Sequence, residues 1–80
     1  MNKQTKLTPR EIEVAKWVAA GYTTKLIAAL WHIDVSTVKT HRENIMAATR
    51  TPNLTAAIIV LLKEEIIRLH QIQVLRTTTG

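Results

Sequence analysis

The chain contains no cysteine. A disulfide framework, a thiolate nucleophile, sulfur-ligated zinc and thiol redox chemistry are therefore excluded, and a reducing cytoplasm suits the protein. Phenylalanine is also missing, and aromatics supply 4% of residues against 46% hydrophobics, so the core must be aliphatic. Two glycines and two prolines in 80 residues leave too few turn signals for a many-stranded sheet, while the abundant Ala, Leu, Ile, Lys and Glu favour helix. The expected class is all-α, and the length has material for a single domain, 1–80, with its core over about 6–70. Long apolar runs are lacking as well: residues 56–62 are followed by Lys63, Glu64 and Glu65, far short of the roughly 20 residues of a membrane span. The polar start, residues 1–6, has no signal-peptide character. A cytoplasmic protein with no membrane partner is expected.

What is present is positive charge. Eleven Lys and Arg against six Asp and Glu give +5, a field that favours a polyanion such as nucleic acid. Charge of this size also serves solubility, so the placement of the basic residues has to decide.

Helix signals are clear in the first half. Thr8 can cap a helix, Pro9 fits its first turn and Glu11 completes a capping box. Ile12, Ala15, Val18 and Ala19 recur at helical spacing until Gly21 offers a left-handed stop, which predicts a helix over about 9–20. Thr23 caps a short second helix, with Leu26, Ile27, Leu30 and Trp31 on one side and Ala28 and Ala29 allowing close packing. His32 and Ile33 separate it from Asp34, a further cap, after which Val38, Ile45 and Ala48 mark the inner face of a third helix. Two helices joined so tightly suggest a helix-turn-helix. Pro52 and Asn53 break the third helix near Thr49, and Thr55 opens a fourth that the apolar pattern carries from Ala56 to about His70. The remainder, 71–80, is expected to be a flexible tail.

If Val38 and Ile45 point inward, Ser36, Lys39, Thr40, Glu43 and Ala47 share the opposite face. In a major groove Lys39 can donate to guanine, Thr40 can meet a thymine methyl and Glu43 can accept from cytosine N4. The same residues equally suit a solvated helix face. Thr24 and Lys25 at the start of the second helix, with Thr37 and Arg42, are placed to hold phosphates and so to position rather than specify. Arg10, Lys16, Lys63 and Arg68 read as surface charges. His41 reads as a phosphate contact or a half-buried, hydrogen-bonded structural histidine. No spacing among His32, His41 and His70 makes a metal set, and no cofactor or small-molecule site is evident. Without a glycine-rich phosphate loop, an activated nucleophile or paired carboxylates in an apolar setting, an enzyme is not expected.

Several ordered blocks, Leu7 to Glu11, Ile27-Ala28, Ser36 to Arg42 and Asn53 to Ile58, together resemble the LuxR-type, or GerE-like, helix-turn-helix family, over roughly 6–62. That resemblance implies a four-helix domain, here with an extended fourth helix, whose third helix enters the major groove and whose fourth pairs with its twin. It assigns base reading to Lys39, Thr40 and Glu43, phosphate contacts to Thr24, Lys25 and Thr37, and dimer contacts to Leu54, Ala57, Ile58 and Leu61. On that assignment an acidic side chain at Ala57 should give a folded monomer. The chain departs from the family at His32, where glycine is usual, at Glu43, where a basic or polar residue is common, and at Thr49 and Arg50, which replace Leu and Gly. Relatives commonly carry an N-terminal receiver or sensor domain. Only six residues precede the motif, so a sensorless protein is expected, regulated by abundance, DNA context or a partner, unless the chain is an excised fragment.

Ile59, Leu62, Ile66 and Leu69 step by three and four, the seam pattern of a helix pair. Burial yields about 1.5 to 3 kcal/mol per side chain against an association cost of about 4 to 15 kcal/mol. A weak homodimer, micromolar or looser and tightened by DNA, follows. Two rivals stand beside this reading: an antagonist that heterodimerises with a full-length LuxR-type regulator through the fourth helix, and a fragment resembling sigma-factor region four, against which the long apolar fourth helix argues.

Overall fold

In the computed structural model the chain is all-helical over the described residues, 6–79; the polar segment ahead of Lys6 and the terminal Gly80 lie outside them. Five helices follow in order: α1 (Pro9–Ala19), α2 (Thr24–Trp31), α3 (Val35–Thr49), α4 (Leu54–Lys63) and α5 (Leu69–Thr79).

The starts follow the hydroxyl and amide caps. Thr8 accepts from the Glu11 amide at 3.1 Å while Glu11 Oε1 accepts from the Thr8 amide at 3.0 Å, the reciprocal capping box. Thr23 accepts from the Leu26 amide at 3.1 Å. Asn53, rather than Thr55, caps α4, its Oδ1 taking the Ala56 amide at 2.8 Å. Asp34 precedes α3 but its carboxylate makes no capping hydrogen bond.

The ends share one device. After α1, α2, α3 and α4 a residue turns left-handed, at Gly21 (φ 100°), His32 (φ 57°), Arg50 (φ 57°) and Glu65 (φ 58°). In each case its amide and the next one bond back to the helix: Gly21 to Val18 and Tyr22 to Trp17, His32 to Ala29 and Ile33 to Ala28, Arg50 to Ala47 and Thr51 to Met46, Glu65 to Leu62 and Ile66 to Leu61. This pairing of a short and a long return bond is the Schellman motif. Of these four, α1 alone closes on glycine. The other turns hold a side chain in a conformation costing about 1 to 2 kcal/mol, offset by the carbonyls satisfied and, after His32 and Glu65, by Ile33 and Ile66, which pack against the core.

The turn at Glu65 corrects the expectation of a fourth helix reaching His70. α4 ends at Lys63, Ile67 behind the turn is fully buried, and α5 packs back on α1. The stripe of Ile59, Leu62, Ile66 and Leu69 is thereby divided between two helices and a turn, so it forms no continuous seam. Leu69–Thr79 is helical where the sequence suggests a flexible tail, and Ile72 joins the core.

That core is aliphatic as expected: Val14, Ala15, Ile27, Val38, Ile45, Ala57, Leu61 and Ile67 at its centre, with α3 contacting α1, α2 and α4. Fully burying each of the larger side chains stabilises by about 1.5 to 3 kcal/mol. Leu26 and Leu30 differ from expectation. They are 53% and 44% exposed, because Ile27 and Ala28 are the α2 residues that face inward.

Candidate nucleic-acid interface

The turn of His32, Ile33 and Asp34 sets α3 against α2. α3 itself is anchored by Val38 and Ile45, both fully buried. It is held to α1 by Glu11, whose second oxygen accepts from Asn44 Nδ2 at 3.0 Å. The sequence marks Glu11 as a helix-start residue and carries no signal for Asn44. The capping box was visible in the local spacing, but a contact 33 residues away has no local signal.

With that inner edge fixed, Ser36, Thr37, Lys39, Thr40 and Glu43 are all exposed, together on the outer side of α3. Thr40 donates its hydroxyl to the Ser36 carbonyl at 3.0 Å, which commits its proton and leaves its methyl and its oxygen lone pairs to meet a ligand. Among the described residues the ion pairs are Lys16–Glu13 and Arg68–Glu65. Among the described residues Lys25 and Lys39 are therefore not neutralised by a salt bridge, and Glu43 is not paired with Lys39 one turn away.

Thr24 and Lys25 sit in the first turn of α2, Lys25 exposed and Thr24 half-buried. The Arg42 guanidinium, expected on phosphate, is half-buried and donates through Nη1 to Thr24 Oγ1. Arg10 is more than a surface charge, lying 4.4 Å from the Trp31 ring centroid and so tying α1 to α2. His41 is half-buried as expected, but its enclosed Nδ1 has no hydrogen-bond partner, which removes that nitrogen from any contact with phosphate.

On another side, Val18, Ala19, Arg42, Leu54, Thr55, Ile58 and Ile59 line an open groove between α1, α3 and α4. Of the expected dimer contacts, Leu54 and Ile58 lie in it. Ala57 and Leu61 do not: both are fully buried inside the chain and offer no surface to a partner. An unbroken apolar run shows no side of α4 as inner, so the sequence pattern could not separate the two faces. Ile59, which is 48% exposed, lies on the outer side and lines the groove.

The sequence pattern of the luxR family of bacterial regulatory proteins matches residues 5–61. This chain belongs to the luxR family. Among similar proteins are the response regulator proteins VraR of Staphylococcus aureus, Staphylococcus saprophyticus and Staphylococcus epidermidis, each 37% identical over 62 residues. The match covers 78% of this chain but 30% of each relative, so the chain spans under a third of their length. The luxR match ends before α5, which lies outside the family region. The resemblance to sigma-factor region four is set aside by this match rather than by the length of α4. Among the described residues no single helix is long and apolar enough to cross a membrane.

Proposed function

We propose that this luxR-family domain is a sequence-selective DNA-binding transcription regulator that acts as a homodimer. The observation that carries the reading is the outer side of α3. Ser36, Lys39, Thr40 and Glu43 project from a helix whose opposite side is locked into the core by Val38 and Ile45, and Lys39 has no salt-bridge partner among the described residues. A helix of this kind fits the major groove. Lys39 reads guanine, the Thr40 methyl meets thymine and Glu43 accepts from cytosine N4. Phosphates are held by Lys25, Thr24 and Thr37 at the ends of α2 and α3, which fixes register without carrying sequence information.

The groove of Val18, Leu54, Ile58 and Ile59 is the surface for a second copy. Its few apolar side chains support only a weak, micromolar association that DNA tightens. That the similar proteins are response regulators supports a regulatory role for this chain. Glu43 favours a second reading, since a carboxylate facing the groove opposes nonspecific binding. The chain would then pair through α4 with a longer luxR-type regulator and block it.

Selection from a random duplex pool separates the two. Enriched sites with guanine and cytosine at fixed positions, lost or relaxed with Lys39→Ala and Glu43→Gln, support the regulator. No enrichment by a folded chain that forms mixed dimers with a full-length relative supports the antagonist.

A further inference from the structure

We propose that Arg42 is a positioning residue that works through Thr24, making the Thr24 hydroxyl a charge-backed phosphate donor, rather than a phosphate contact itself; this rests on the DNA-binding reading above. Arg42 Nη1 donates to Thr24 Oγ1 across the α2–α3 junction, and Arg42, half-buried, also lines the groove of Val18, Leu54 and Ile58. Its guanidinium is therefore engaged by Thr24, although Arg42 lies one turn from Lys39 on α3. Thr24 is the first residue of α2, behind the cap Thr23, whose own hydroxyl oxygen is taken by the Leu26 amide.

A hydroxyl that accepts from a guanidinium has its oxygen occupied from one side and its proton left to donate. A cation behind the donor strengthens a hydrogen bond to an anion. The helix N-terminus adds partial positive charge at the same place, with amides pointing outward. Phosphate is the acceptor that matches all three. The arrangement also fixes the start of α2 relative to α3, so the phosphate-holding and base-reading elements keep one register. Arg42 thus links the groove proposed for the second copy to the DNA contact.

The test is a double-mutant cycle on Thr24→Val and Arg42→Gln, read as affinity for a short duplex of fixed sequence at low salt, with thermal melts confirming folding. Thr24→Val leaves the groove untouched and so carries the test even if Arg42→Gln disturbs self-association. Each single variant is expected to bind about ten-fold more weakly, the value of one charge-assisted hydrogen bond. The double variant should lose little more, and Thr24→Ser, which keeps the hydroxyl, should bind like the parent. Losses that multiply to about a hundred-fold overturn the proposal, because Arg42 then acts on phosphate independently. Full affinity in Thr24→Val, or Thr24→Ser as weak as Thr24→Val, overturns it too. If the folded parent fails to bind the duplex at all, the DNA-binding reading falls and takes this inference with it.

Discussion

Replacing Glu11 with alanine tests how the recognition helix is held. The side chain is 9% exposed and both oxygens are used: Oε1 accepts the Thr8 amide at 3.0 Å and Oε2 accepts Asn44 Nδ2 at 3.0 Å. Losing the glutamate half of the capping box costs about 0.5 to 1 kcal/mol, toward the lower end of cap substitutions. Losing a hydrogen bond to a charged acceptor costs about 1 to 1.5 kcal/mol, held down because Asn44 is exposed and regains water. The sum is about 1.5 to 2.5 kcal/mol, or a fall of roughly 6 to 20 °C in Tm for a domain of this size. Glu13→Ala is the control: its salt bridge to Lys16 at 3.2 Å is partly solvent-exposed and contributes no more than about 0.5 kcal/mol. Urea unfolding of the parent, Glu11→Ala, Glu11→Gln and Glu13→Ala should rank Glu11→Ala last, with Glu11→Gln between it and the parent because glutamine still completes the box. If Glu11→Ala and Glu13→Ala lose equally little, the Glu11–Asn44 tie does not hold α3 to α1.

Other substitutions address the α4 and α5 assignments. Ile59→Glu, on the exposed side of the groove, should leave the melting curve nearly unchanged and shift sedimentation toward monomer, whereas Ala57→Glu should unfold the chain because that position is fully buried. Ile67→Ala should lose about 2 to 5 kcal/mol in urea unfolding although it lies beyond the luxR match, and a loss under about 0.5 kcal/mol would show that the return of α5 onto α1 adds nothing. Glu65→Gly should keep the fold and raise stability by up to about 1 kcal/mol, since glycine relieves the left-handed backbone at a smaller entropic cost; a destabilised variant would argue against the turn.

Legibility differed along the chain for physical reasons. α1, α2 and α3 announce themselves through caps at Thr8 and Thr23, the stop at Gly21 and the spacing of Val38 and Ile45, all signals contained within a turn or two of helix. The outer side of α3 followed from its inner side. The turn at Glu65 was not legible: Lys63, Glu64 and Glu65 are good helix formers, and the chain leaves the helix there because burying Ile67 and packing α5 on α1 outweighs local propensity. The same limit hid which side of α4 faces the core, because Leu54 to Lys63 is apolar almost all round. The roles of Arg42 and Asn44 depend on partners 18 and 33 residues away, and such pairings are set by tertiary packing alone.

The central claim, that the outer side of α3 meets DNA, is tested most directly by the affinity of the purified chain for a duplex across a salt series, measured by fluorescence anisotropy for the parent, Lys25→Ala and Lys39→Ala. Log affinity of the parent should fall linearly with log salt, Lys25→Ala should flatten the slope by about 0.9 per protomer, and Lys39→Ala should weaken the selected site by roughly 1 to 3 kcal/mol. A folded chain with no measurable affinity at low salt, or one whose binding is indifferent to both substitutions, would contradict the account.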